Sequence, residues 1–137
     1  MLRKDAKIEL LSQVPLFSGC SGRQLKQVAE VADEIVVPAG YTLTKEGASG
    51  REFVVIVEGA AEVRRRGRKV NTLGAGDFLG EIALLSRGPR TATVTTTTPT
   101  HLLVITASAF RSLLRRTPSM QLQVLEALAD RLPDEFS

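Results

Sequence analysis

The 137-residue chain has no tryptophan, one tyrosine, one histidine and one cysteine, and only 4% of its residues are aromatic. Each shortage narrows what the molecule can be. A core this poor in rings has to rest on Leu, Val, Ile and Ala. A single thiol, Cys20, cannot close an internal disulfide, which suits a reducing compartment. Cys20 also has no base nearby in sequence and reads as a structural or incidental thiol. His101, on an expected strand, has neither the ligand partners of a metal site nor the companions of a catalytic triad. No paired-carboxylate spacing stands out either, so the chain is not expected to be an enzyme. No apolar run approaches the ~20 residues that cross a bilayer. The stretch from Met1 to Glu9 lacks the apolar centre of a signal peptide. A cytoplasmic protein that does not insert into a membrane is the expectation.

What is present is ordinary for a globular chain: 43% hydrophobic and 24% charged residues. The length suits one domain, 1–137, large enough for a proper core. The net charge of +3 draws on one cluster, Arg64-Arg65-Arg66-Gly67-Arg68-Lys69. Gly67 between two strand-like stretches marks it as a solvated hairpin tip that also discourages edge pairing, and only secondarily as a docking patch.

Periodicity divides the chain into helix, strand and helix again. Lys4 to Leu11 reads as a helix that Pro15 prevents from continuing. Ser21 opens a second helix, with Gln24 as its capping-box partner. Leu25, Val28, Ala29 and Ala32 follow on one face. From Glu34 the texture changes to short apolar runs separated by glycines. Ile35–Val37, Phe53–Val57, Ala61–Arg64, Val70–Leu73, Ala92–Thr98 and His101–Ile105 are expected strands, with Thr98-Pro99-Thr100 as the last turn. After Thr106 the helical period returns in Phe110, Leu113 and Leu114. Thr117-Pro118 then opens a final helix, with Leu122, Leu125, Leu128, Ala129 and Leu132 as its apolar stripe, and Pro133 ends it. The expected fold is mainly β, a jelly-roll (double-stranded β-helix) over about 33–105. Helices precede it at about 3–32, and two follow it at about 106–132. The leucine-rich last helix is compatible with a symmetric homodimer and equally with a monomer.

The most informative stretch runs from Gly74 to Val94. Gly80 precedes a short helix-like run, Glu81 to Leu85, which Gly88-Pro89 breaks, and Arg90 follows at the start of a threonine-rich strand. A glycine before a helix start lets backbone N–H groups approach an anion, and the helix dipole favours negative charge there. Arg90 adds a planar fork of donors suited to phosphate oxygens. Glu81 would repel a phosphate, so it should face a neutral donor such as a ribose 2′-hydroxyl. Together these groups suggest a cyclic or sugar phosphate held at two ends. The bland alternative for Arg90 is a surface ion pair with Glu46 or Asp77, which is worth little. The bland alternative for Glu81 is complementing the helix dipole.

Leu79-Gly80-Glu81-Ile82-Ala83-Leu84, followed by Arg90-Thr91-Ala92-Thr93-Val94, resembles the phosphate-binding cassette (79–94) of the cyclic nucleotide-binding domain family. That family includes the catabolite activator protein and the regulatory subunits of protein kinase A. The likeness extends through Pro15-Leu16-Phe17, Gly40, Glu46-Gly47, Gly59 and Gly76-Asp77 to Phe110, Leu113 and Leu114. It implies that Arg90 binds the exocyclic phosphate oxygens and Glu81 the ribose 2′-hydroxyl. Gly80 and the amides of Ile82 and Ala83 would complete the anion cradle, with Thr91 and Ala92 alongside. Thr93, Leu128 and Arg131 are candidate base contacts, with Phe136 a further possible cap. Thr91 does not separate cAMP from cGMP, and cAMP is favoured for a free-standing module of bacterial character.

The resemblance implies a sensor that binds cAMP or cGMP, without cofactor or metal. It would signal to an unknown effector protein by shifting the helices from Ala107 to Leu132. A DNA-binding output would require a helix-turn-helix after the last helix, and the sequence stops at Ser137, so direct nucleic-acid binding is not expected unless the chain is a fragment. The alternatives are a same-fold interaction module that binds no nucleotide and, more remotely, a β-roll enzyme of the cupin kind.

Overall fold

A computed structural model describes residues 2–80, 84 and 89–129, the side chain of Leu128 excepted. The chain divides into two units, 1–31 with 109–137 and 32–108.

The second unit is built from eight strands: β1 (Asp33–Val37), β2 (Thr42–Thr44), β3 (Glu52–Glu58), β4 (Ala61–Arg65), β5 (Arg68–Leu73), β6 (Phe78–Leu79), β7 (Thr93–Thr96) and β8 (Thr100–Thr106). They form two antiparallel four-stranded sheets, ordered β1-β8-β3-β6 and β2-β7-β4-β5. This is the expected jelly-roll arrangement. Val37, Val54, Ile56, Leu102 and Val104 of one sheet and Ala61 and Val94 of the other form a single buried cluster, with Leu43, Val63, Leu73 and Leu79 packed against it. On β3 the consecutive residues Phe53 to Ile56 are all buried, so both faces of this central strand are withdrawn from water.

The basic cluster turns as expected. Arg66 and Gly67 both have positive φ, 54° and 77°, the combination that makes a two-residue type I′ hairpin. Two strands, β2 and β6, were not anticipated. The expected strand at 92–98 is shorter, because Thr97 N–H donates to the Ala60 carbonyl (2.9 Å) and Thr98 Oγ1 accepts from Ala60 N–H (3.1 Å). The threonines of this region serve neighbouring backbone. Thr96 Oγ1 accepts from Tyr41 N–H at 2.9 Å and donates to the Pro38 carbonyl at 2.7 Å, and Thr44 Oγ1 donates to the Ala92 carbonyl at 3.0 Å.

The first unit contains α1 (Lys4–Ser12), a 3-10 turn at Pro15–Phe17, α2 (Gly22–Glu30), most of α3 (Ala107–Arg116) and α4 (Pro118–Ala129). The capping box at α2 is complete. Ser21 Oγ accepts from Gln24 N–H at 3.2 Å, and Gln24 Oε1 accepts from Ser21 N–H at 2.8 Å. Phe17 and Phe110 pack with ring centroids 5.7 Å apart, tilted by 59°. On α4 the buried row is Met120, Val124 and Ala127, whereas Leu122 and Leu125 are 61% and 62% exposed. The expected stripe through Leu122, Leu125 and Ala129 is therefore the outward one. The helix carries two apolar rows, and the row three to four residues apart from Met120 is the one withdrawn from water.

Candidate functional site

Local pairing explains how Gly80 and Arg90 come together. β6 pairs with β3 through Leu79↔Val54 and Phe78↔Val55, so the next residue, Gly80, is delivered beside the start of β3. Its φ is +79°, in the region that glycine enters without penalty. A Cβ there would lie 2.6 Å from the Glu52 carbonyl oxygen and would strike Arg90 Nη1.

Arg90 reaches the same place from another direction. Its N–H donates to the Ala48 carbonyl at 2.9 Å, and its own carbonyl accepts from Gly47 N–H at 2.8 Å. A bridge between Ser49 and Pro89 extends this pairing. The side chain then runs past Gly50, and Nη2 donates to the Glu52 carbonyl at 2.6 Å. The guanidinium is half-buried, and Nε is shielded from solvent with no hydrogen-bond partner among the described residues. Burial pulls its pKa below the ordinary arginine value, and the Glu52 carboxylate opposes that shift. A shielded cation with an unsatisfied donor is a site that an anionic oxygen would stabilise.

The two carboxylates that could pair with Arg90 at the surface are engaged elsewhere. Asp77 Oδ2 accepts from Gly74 N–H at 2.7 Å and closes its own turn. Glu46 Oε1 accepts from Arg66 N–H at 2.8 Å. Ala48, Gly50 and Glu52 are not marked in the sequence, and Gly47 only as part of the family likeness, since nothing in their residue types points at a residue forty positions away.

The other candidates are placed as follows. Glu81, Ile82 and Ala83 lie outside the described residues, as do Arg131 and Phe136. Leu84 is fully buried, in keeping with a packing role. Thr91 is exposed, and its carbonyl accepts from Arg65 Nε at 3.2 Å. Ala92 is buried, and its carbonyl is held by Thr44. Thr93 Oγ1 accepts from Glu46 N–H at 3.0 Å, so its hydroxyl already serves the backbone. Leu128 belongs to α4. His101 Nε2 lies 2.8 Å from Glu34 Oε2 across β8 and β1. No group of three or more metal-ligating side chains occurs among the described residues, and no helix among them is long and apolar enough to cross a membrane.

Residues 34–117 match the model of the cyclic nucleotide-binding domain. The chain belongs to that family. It is 33% identical over 123 residues to a cyclic nucleotide-gated potassium channel of Rhizobium etli, covering 90% of this chain and 34% of the channel. It is 29% identical over 129 residues to a CRP-like cAMP-activated global transcriptional regulator of Mycobacterium tuberculosis, covering 90% of this chain and 58% of the regulator. It thus spans about a third to just under three fifths of the length of these curated relatives. The regulatory domain of Toxoplasma gondii protein kinase A, crystallised with cAMP, superposes with a TM-score of 0.74 at 29% identity, over 80% of this chain and 44% of that one.

Proposed function

We propose that this domain is a cAMP sensor that binds its ligand at Arg90 and acts by binding rather than catalysis. The observation that carries the reading is the half-buried guanidinium beside Gly80, whose Nε lacks a partner among the described residues. In this reading Arg90 holds the exocyclic phosphate oxygens. Gly80 and the amides of Ile82 and Ala83 cradle the phosphate, Glu81 accepts from the ribose 2′-hydroxyl, and Thr91 and Ala92 line the exit of the cassette. The base is met from the side of Thr93, Leu128 or Arg131. The cAMP-activated regulator and the kinase regulatory domain crystallised with cAMP support this ligand over cGMP.

The output is a shift of the C-terminal helices, read by an effector protein. One backbone segment supports that route. The Arg51 carbonyl accepts from Ala107 N–H, at the first residue of α3, at 2.7 Å. The next carbonyl, of Glu52, is the one that Arg90 holds. A ligand that redirects the guanidinium therefore acts one peptide away from the start of α3.

Titration calorimetry with cAMP and cGMP tests the reading. Micromolar or tighter cAMP binding, about −8 kcal/mol or better, is expected in the wild type and should weaken by roughly a hundredfold or more in Arg90→Ala. Heat from neither nucleotide would favour an interaction module of the same fold.

A further inference from the structure

We propose that Gly50 is a positioning residue for the phosphate-binding arginine, an inference that rests on the sensor reading above. Gly50 and Gly80 form the two walls of a slot that stays open only because neither carries a Cβ. At Gly80 the glycine has two reasons to be there, a positive φ and a close carbonyl. At Gly50 the backbone φ lies outside the left-handed region, and the three nearest atoms that a Cβ would meet all belong to Arg90. They are Nε, Cζ at 2.9 Å and Cδ at 3.0 Å. The residue type at 50 is therefore set by clearance for one side chain.

The surrounding contacts give this clearance a purpose. Residues 47 and 48 clamp the Arg90 backbone on both sides, and Glu52 takes Nη2. Gly50 sits between these anchors, where the aliphatic stem turns toward the guanidinium. A methyl group at 50 leaves the backbone pairing intact and drives the stem and Nε out of the slot. The obstacle is the far end of a flexible side chain, so the fold accommodates the change while the donor geometry does not.

Gly50→Ala, Arg90→Ala and the double variant test this by cAMP titration and thermal melting. Gly50→Ala is expected to melt close to the wild type and to bind cAMP roughly tenfold or more weakly, the scale of one misplaced charge-assisted hydrogen bond. In the Arg90→Ala background the same substitution is expected to add nothing. An equal loss in both backgrounds, or unchanged binding in Gly50→Ala alone, would overturn the proposal. A ligand-free readout separates it from the sensor reading. The Arg90 Nε–H resonance in a ¹⁵N spectrum should exchange slowly with solvent in the wild type and rapidly in Gly50→Ala. If that contrast appears while the wild type binds no cyclic nucleotide, the slot stands and the sensor reading fails. Equal exchange in both proteins overturns the slot.

Discussion

Arg90 and Glu52 are joined through a backbone carbonyl, Nη2 to O at 2.6 Å. The acceptor does not depend on the side chain at 52. The Glu52 carboxylate still acts on Arg90 through space, opposing the downward shift that burial produces. A negative charge beside the proposed phosphate site is unfavourable to the ligand. Glu52→Gln should keep Arg90 in place and tighten cAMP binding by roughly twofold to fivefold at low ionic strength. The gain should shrink with added salt. Isothermal titration at two salt concentrations checks both parts.

Gly80 has a different sensitivity. Alanine there must adopt φ near +79° and place its Cβ 2.6 Å from the Glu52 carbonyl oxygen. Gly80→Ala is expected to cost about 1–3 kcal/mol of stability and to abolish nucleotide binding as well. Denaturant unfolding alongside titration separates the two losses.

Thr96 is 2% exposed, and its hydroxyl bridges Tyr41 N–H and the Pro38 carbonyl. Valine matches its shape but cannot accept from the first or donate to the second. Thr96→Val should therefore destabilise the fold by about 1–3 kcal/mol, read as a lower denaturation midpoint with an unchanged slope.

Cys20 is partly buried, and burial pushes its thiol pKa up. Less thiolate is then present at neutral pH than for a free cysteine. Alkylation of the native protein should be slower than that of the unfolded chain and should accelerate as pH rises. Timed labelling followed by mass measurement gives both rates.

The parts of the fold legible in the sequence were those with a period or a punctuation mark. Phe53–Val57 announced a strand, Ser21 and Gln24 a capping box, and Gly67 the hairpin turn. β2 and β6, three and two residues long, are too short for an alternating pattern to show. Their partners β7 and β3 define them. Which row of α4 faces inward was not legible, because Leu122 and Leu125 are as apolar as Met120 and Val124. Gly80 and Arg90 were singled out as candidates because the cassette is a local motif. Gly50 and the carbonyl of Glu52 were not, because clearance and backbone acceptors leave no signature in residue type across forty positions.

The central claim is that the Arg90 guanidinium grips the phosphate of a cyclic nucleotide. The most direct measurement is cAMP titration of Arg90→Lys beside the wild type, with melting curves for both. Lysine keeps the charge but loses the planar fork. Affinity should fall roughly tenfold to a hundredfold while the melting temperature stays close to the wild type. Equal cAMP affinity in the two proteins would contradict the account.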